Sequence, residues 1–234
     1  MGAKLDTAQE TPADTAQATG ADTAQENAGK GARTRAAILD VAIRRASVVG
    51  LQGLTIGGLA VATGLSKSGL FLHFGSKEQL QIAVMEAAAD RFTRVVLVPL
   101  RKAPLGIPRL RALFDAWLAW PRVAGMEGGC LFQTAAVEFD DRDGPVRDVI
   151  VAMQRGWIDR ITRLAERARA AGHLHADSDP RQFAHELNGI VLGCYHAQRL
   201  LRDPAAERRA RLSFEALLAR MRAAPPATFE EETT

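Results

Sequence analysis

Lys67 and Lys77 each follow a serine, Ser66 and Ser76, that can cap the start of a helix. Both ammonium groups then stand in a first helical turn, where the helix dipole disfavours cations by roughly 0.3–1 kcal/mol. A phosphate reverses the sign, because backbone N–H groups and the ammonium converge on one anion. The bland alternative is a pair of solvated surface lysines. Arg33, Thr34 and Arg35 suit phosphate or minor-groove contact, or form a plain solvated face. Thr55 either reaches a phosphate or only caps its helix. Lys67 and Ser68 can meet base-edge acceptors, and the Phe71 ring can meet a thymine methyl. His73 either touches a phosphate or closes a helix end. The chemistry these residues offer is recognition of double-stranded DNA.

Other chemistries find less support. His173 and His175 form H-x-H in a loop without evident further ligands, and His185-Glu186 lacks the second histidine of H-E-x-x-H. No Walker loop, G-x-S-x-G elbow or Rossmann glycine pattern occurs. Asp140, Asp141 and Asp143 read as a charged inter-helix loop. Cys130 and Cys194 are too few for a disulfide scaffold; they are either oxidant sensors or buried structural thiols. The expectation is no enzyme, no cofactor and no metal. No apolar run approaches a membrane span, and the N-terminus lacks an apolar signal region, so the cytoplasm is expected.

The elements that must position these residues are helical. Ile38, Leu39, Ala42, Ile43 and Ala46 recur at helical spacing, predicting a helix over 33–49 closed by Gly50. Thr55 caps a helix to 63, Ser66 one to 74, and Ser76 with Gln79 makes an S-x-x-Q capping box for a helix to 98. Leu59, Leu65 and Leu70 would pack the short pair on the first helix, with small Ala60 at the crossing. Further helices are expected over 108–120, ending at Pro121, and over 131–139, 145–171, 180–201 and 204–223. No useful stretch alternates with period two. The fold class is all-α with about nine helices.

Four segments follow. Residues 1–32 repeat Asp-Thr-Ala-Gln at Asp6, Asp14 and Asp22, hold almost no large apolar side chains, and read as a disordered acidic tail. Residues 33–80 form a helix-turn-helix domain, 81–223 a second helical domain, and 224–234 an acidic C-terminal tail. The net charge of +3 divides as −3, +4, +5 and −3 along these segments. The acidic ends therefore mask a basic body.

Leu54-Thr55, Ala60, Gly64-Leu65-Ser66-Lys67, Leu70-Phe71, His73-Phe74 and Ser76-Lys77-Glu78 resemble the DNA-binding signature of the TetR/AcrR family. The resemblance implies a homodimeric one-component repressor whose C-terminal helices bind a small molecule. By their chemistry and position Arg33, Thr34, Arg35, Thr55, Ser66, Lys67, Ser68, Phe71, His73 and Lys77 are the residues expected on the DNA face. The family often has tyrosine where this chain has Phe71, so a phosphate contact through that hydroxyl is missing.

The second domain offers two further surfaces. Phe183, Leu187, Ile190, Cys194, Ala197 and Leu201 form a heptad-like seam, and Ala210, Phe214, Leu217 and Met221 continue it on the next helix. Both stripes either build a four-helix dimer interface or belong to the chain's own core. Gly189 and Gly193 would allow close backbone approach. A dimer would present two recognition helices to a pseudo-palindromic operator. Trp117, Trp120, Met126, Cys130, Phe132, Gln133, Phe139, Trp157 and Asn188 are candidates for a pocket taking a mostly hydrophobic effector, neutral or cationic. The aromatic ones could instead be plain core. Effector, operator and direction of regulation are not written in the sequence.

Overall fold

The starts of the three helices after the first are set by small oxygen-bearing side chains. The computed structural model describes residues 13–223, with side chains from 29 onward. The Thr55 hydroxyl accepts from Gly58 N, Ser66 from Gly69 N and Ser76 from Gln79 N, each at 3.0 Å. These caps open α2 (Ile56–Thr63), α3 (Lys67–Phe74) and α4 (Lys77–Phe92). Only half of the capping box forms, because Ser76 N–H donates to the Phe74 carbonyl rather than to Gln79. Gly64 at φ 68° makes the turn between α2 and α3 that a side-chain-bearing residue resists.

Helix α1 runs Ala13–Val49, beginning twenty residues before the expected start. The sequence reads as disordered through residue 32 because it holds almost no large apolar side chains to pack. That argument concerns tertiary packing, whereas a helix already nucleated extends cheaply through Ala, Gln, Glu and Lys. Residues 1–12 and the acidic tail 224–234 lie outside the described residues.

Helix α4 continues through a π-helical turn, Thr93–Leu97, into a last turn, Val98–Leu100. Pro99 explains the widening: its ring collides with the carbonyl four residues back, Val95, inside that turn. Then follow α5 (Ile107–Val123), α6 (Leu131–Glu138), α7 (Pro145–Ala170), α8 (Pro180–Arg199) and α9 (Ala206–Met221). Among the described residues there are nine helices and no strand, only an isolated bridge between Leu174 and Arg222.

Pro121 lies inside α5 rather than ending it. The missing proline N–H would leave the carbonyl of Trp117 without a helical donor. The buried Tyr195 hydroxyl on α8 donates to that oxygen instead. A local signal for helix termination is thus overridden by a partner 78 residues away.

Ile38, Ala42, Ile43 and Ala46 of α1 bury against Leu54, Leu59, Leu70, Phe74 and Leu80, holding the first three helices to the base of α4. Each large aliphatic among them contributes about 1.5–3 kcal/mol by leaving water. Leu65, expected in this core, stands exposed beyond the Gly64 turn. The second domain packs α8 between α7 and α9. Phe183, Leu187 and Cys194 of α8, and Phe214 and Leu217 of α9, are buried within this one chain. Phe214 stacks on Phe114 of α5 at 4.1 Å. The seam read as a dimer interface is therefore intrachain core. Spacing shows which face is apolar, not which neighbour covers it. Ile190 and Met221 are half-buried against the same core, and Leu201 is exposed in the loop after α8.

Candidate nucleic-acid interface

The exposed face of α3 is the most distinctive surface of the N-terminal helices. Leu70 and Phe74 turn inward, while Lys67, Ser68, Phe71 and Leu72 turn out. Phe71 is 57% exposed and Leu72 88%, two large apolar groups with nothing to pack on. A short helix held by its inner face and carrying lysine, serine and apolar tips outward can enter a major groove. His73 is half-buried in the last turn, its ring 6.2 Å from that of Phe74.

The surrounding polar residues divide between DNA-ready and already engaged. The oxygens of Thr55 and Ser66 serve as caps, and Ser66 also lies 3.1 Å from the Ser68 hydroxyl. Thr34 donates to the Lys30 carbonyl. The Arg35 guanidinium lies 5.1 Å over the Phe74 ring, a cation–π contact that fixes it at the head's edge. Lys77 donates to the Gln52 carbonyl at 2.6 Å, leaving two N–H groups for an anion. Arg33 is exposed.

In the second domain Phe92 of α4 is the hub of an aromatic cluster. Trp120 and Trp157 meet it edge-on at 5.0 Å and Phe132 at 5.9 Å, and Trp117 meets Trp157 at 4.6 Å. The indole N–H groups of Trp120 and Trp157 are buried without an oxygen or nitrogen acceptor, that of Trp120 having only the Cys130 sulfur beside it. Beside the cluster a cleft of about 1220 Å³ opens between α5, α6 and the α8–α9 end. Met126, Cys130 and Gln133 line it, under a rim carrying Arg122, Arg202, Glu127 and Glu138.

Two family models match this chain. One, described as bacterial regulatory proteins of the tetR family, matches residues 38–84; the other, tetracyclin repressor-like C-terminal domain, matches residues 106–214. Together they span most of its length. The chain belongs to the TetR family. It is accordingly a DNA-binding transcriptional regulator and not an enzyme. A TetR transcriptional regulator from Chloroflexus aurantiacus J-10-FL superposes with a TM-score of 0.74 at 26% identity, covering 83% of this chain and 99% of that one. A TetR-family regulator from Cytophaga hutchinsonii shares the fold at TM-score 0.73 and 20% identity, covering 84% and 98%. AibR, solved with isovaleryl coenzyme A and operator DNA, matches at TM-score 0.62 and 24% identity over 80% and 97%. No curated protein sequence matches the chain closely.

For this TetR-family regulator the sequence reading missed three groups near the sites. Leu72 stands beside Phe71 on the outer face of α3; its type suggested core, and only the helix phase around Leu70 and Phe74 could have revealed it. Arg45 of α1 lies against Gly58 at the start of α2. Phe92 centres the cluster from the long helix expected to run from Ser76 to 98, where it was given no role. Of the candidate pocket residues, the structure brings Trp117, Trp120, Phe132 and Trp157 together and places Met126, Cys130 and Gln133 on the cleft. Phe139 is buried outside the cleft lining, and Asn188 is half-buried on α8, also away from it. Burial pushes the Cys130 thiol up to about 11 and raises that of Cys194 too, the opposite of what a reactive thiolate needs. His173 is occupied structurally, its Nδ1 accepting from Ile107 N at the start of α5. Among the described residues no cluster of three metal-ligating side chains occurs, and no helix is long and apolar enough to cross a membrane.

Proposed function

We propose that this TetR-family regulator is a homodimeric cytoplasmic repressor, released from a pseudo-palindromic operator by a small, mostly hydrophobic effector. Residues 33–80 form the operator-binding head and 81–223 the effector and dimerisation body. The observation that carries the DNA reading is the outer face of α3, with Lys67, Ser68, Phe71 and Leu72 exposed on a helix anchored by Leu70 and Phe74. Arg33, Arg35 and Lys77 flank it as phosphate contacts, and Thr34, Thr55, Ser66 and His73 support its edges.

The dimer contact we propose lies on the face of α8 and α9 opposite the buried seam. Gly189, Leu192 and Gly193 of α8 and Leu212 and Ala216 of α9 are exposed. A Cβ at Gly189 or Gly193 would touch nothing in this chain, so the space beside them is open to a second helix. The effector reading is supported by the two buried indole N–H groups. An unsatisfied buried donor costs about 1–3 kcal/mol, which a ligand bearing an acceptor atom would recover. That AibR was solved with an acyl-coenzyme A and operator DNA supports effector control in a protein of this fold.

Selection of bound duplexes from a random pool tests the core of the proposal. A palindromic consensus is expected, and recovery without any consensus would overturn sequence-specific repression. All three tryptophans of the chain belong to the cluster, so intrinsic fluorescence reports on that site alone. A compound that shifts the emission and lowers affinity for the selected duplex is the expected effector.

A further inference from the structure

We infer that Glu138 is the positioning residue through which the effector domain sets the angle of the DNA-binding head. The turn after α1, Gly50 to Gly53, is where the first helix hands over to the helix-turn-helix. Its polar backbone groups are held from three directions. The Glu138 carboxylate at the end of α6 accepts from Leu51 N at 2.7 Å and from Gln52 N at 3.1 Å. The buried Gln81 amide of α4 donates to the Leu51 carbonyl at 2.9 Å, and Lys77 donates to that of Gln52. Gln81 and Lys77 belong to the helix that continues from the head. Glu138 alone among the three reaches in from a separate helix beyond α4.

The fit around it is close. A Cβ on Gly50 would lie 1.7 Å from a Glu138 oxygen, so glycine is needed there both for this contact and for its φ of 78°. A second contact runs alongside. The buried Ser47 hydroxyl donates to Arg44 O and accepts from Gly128 N at 3.2 Å, and a Cβ on Gly128 would lie 1.6 Å from the Ser47 carbonyl. The α6 end and the glycine loop before α6 therefore grip the last turn of α1. A carboxylate taking two N–H groups is a charge-assisted contact, stronger than a neutral one and fixed in direction.

Both halves of the grip belong to segments lining the 1220 Å³ cleft, which runs from Gly125 through Thr134 to Glu138. An occupant of that cleft meets the grip before it meets the head. This last step rests on the effector reading; the role of Glu138 in holding the head does not.

The test is a distance measurement in the full-length protein without DNA or effector. Spin labels go on exposed Val61 of α2 and exposed Arg163 of α7, each changed to cysteine; native Cys130 and Cys194 are buried. Dilution with unlabelled protein leaves one labelled protomer per dimer. Glu138→Ala should broaden or shift the distance distribution, and Glu138→Gln, which keeps one acceptor oxygen, should restore most of it. On the selected duplex, Glu138→Ala should bind about tenfold more weakly with an unchanged salt slope, since no phosphate contact is lost. Should the alanine variant not fold, Glu138→Asp, one methylene short of the turn, is read in the same way. A folded Ala or Asp variant with the wild-type distance distribution overturns the inference. So does a Gln variant as displaced as Ala. Failure to find an operator would leave the distance result standing, so the two readings fail separately.

Discussion

The Lys67 stem passes Gly57 of α2, with Cε 3.5 Å from where a Cβ would stand. Its ammonium extends from the first turn of α3 toward the proposed groove. Lys67→Ala should weaken operator binding and lower the slope of log affinity against log salt by about one, the signature of one lost phosphate. Titration by fluorescence anisotropy at several salt concentrations reads both, and an unchanged slope would remove Lys67 from the phosphate contacts. Phe71 and Leu72 act differently, since an apolar contact releases no counterion; their loss should relax base preference and leave the slope alone. Cys130 gives a pH prediction. Its neutral thiol is favoured in the fold, with the pKa raised from the ordinary 9.0 to about 11 by burial. A raised folded pKa contributes stability that is intact below about pH 9 and is lost as pH rises toward 11. The loss is about 2–3 kcal/mol once the thiolate is forced to form. Denaturant midpoints at pH 8 and pH 10.5 should converge more closely in Cys130→Ala than in the native chain.

At the scale of elements, α5 is the informative case. Tyr195 replaces the donor that Pro121 lacks, so Tyr195→Phe should cost about 1–3 kcal/mol by leaving the Trp117 carbonyl unpaired. In a Pro121→Ala background the backbone N–H returns, and the same change should cost clearly less. A thermal-denaturation double-mutant cycle measures the difference, and additivity of the two changes would refute the compensation. This helix also shows where sequence reasoning stops. The caps at Thr55, Ser66 and Ser76 were legible because a cap and its N–H lie three residues apart. Pro121 read as a terminus because its compensating hydroxyl is on another helix. Leu65 read as core from its type, yet Gly64 turns it outward. The α3 surface was legible from helix phase and motif. The ring under Arg35, the carbonyl bound by Lys77 and the hub role of Phe92 were not, since each depends on tertiary neighbours.

For the whole molecule the central prediction concerns association. Gly189 and Gly193 face open space in the single chain, so Gly189→Leu should fold with near-native stability yet block close helix approach. Sedimentation at micromolar concentration should show a dimer for the native chain and a monomer, or a much weaker dimer, for the variant. By contrast Leu187→Ala, in the intrachain core, should lose about 2–5 kcal/mol of fold stability. A dimer that survives Gly189→Leu unchanged would place the interface elsewhere. The same exposed face explains why the 4-3-4 spacing misled: α8 is apolar toward its own domain and merely small toward a partner.

The early start of α1 has a practical consequence for attaching anything to this protein. From Ala13 to Arg33 the helix advances about 30 Å, close to the 34–36 Å that one turn of DNA occupies. A reporter fused ahead of Ala13 is carried on a spacer of that length before the first residue proposed to meet a phosphate. At the other end the last described residues are held against the body. Arg222 bridges Leu174, and Ala223 N donates to the His173 carbonyl, beside the start of α5. The chain therefore leaves the effector domain from a point fixed beside the start of α5.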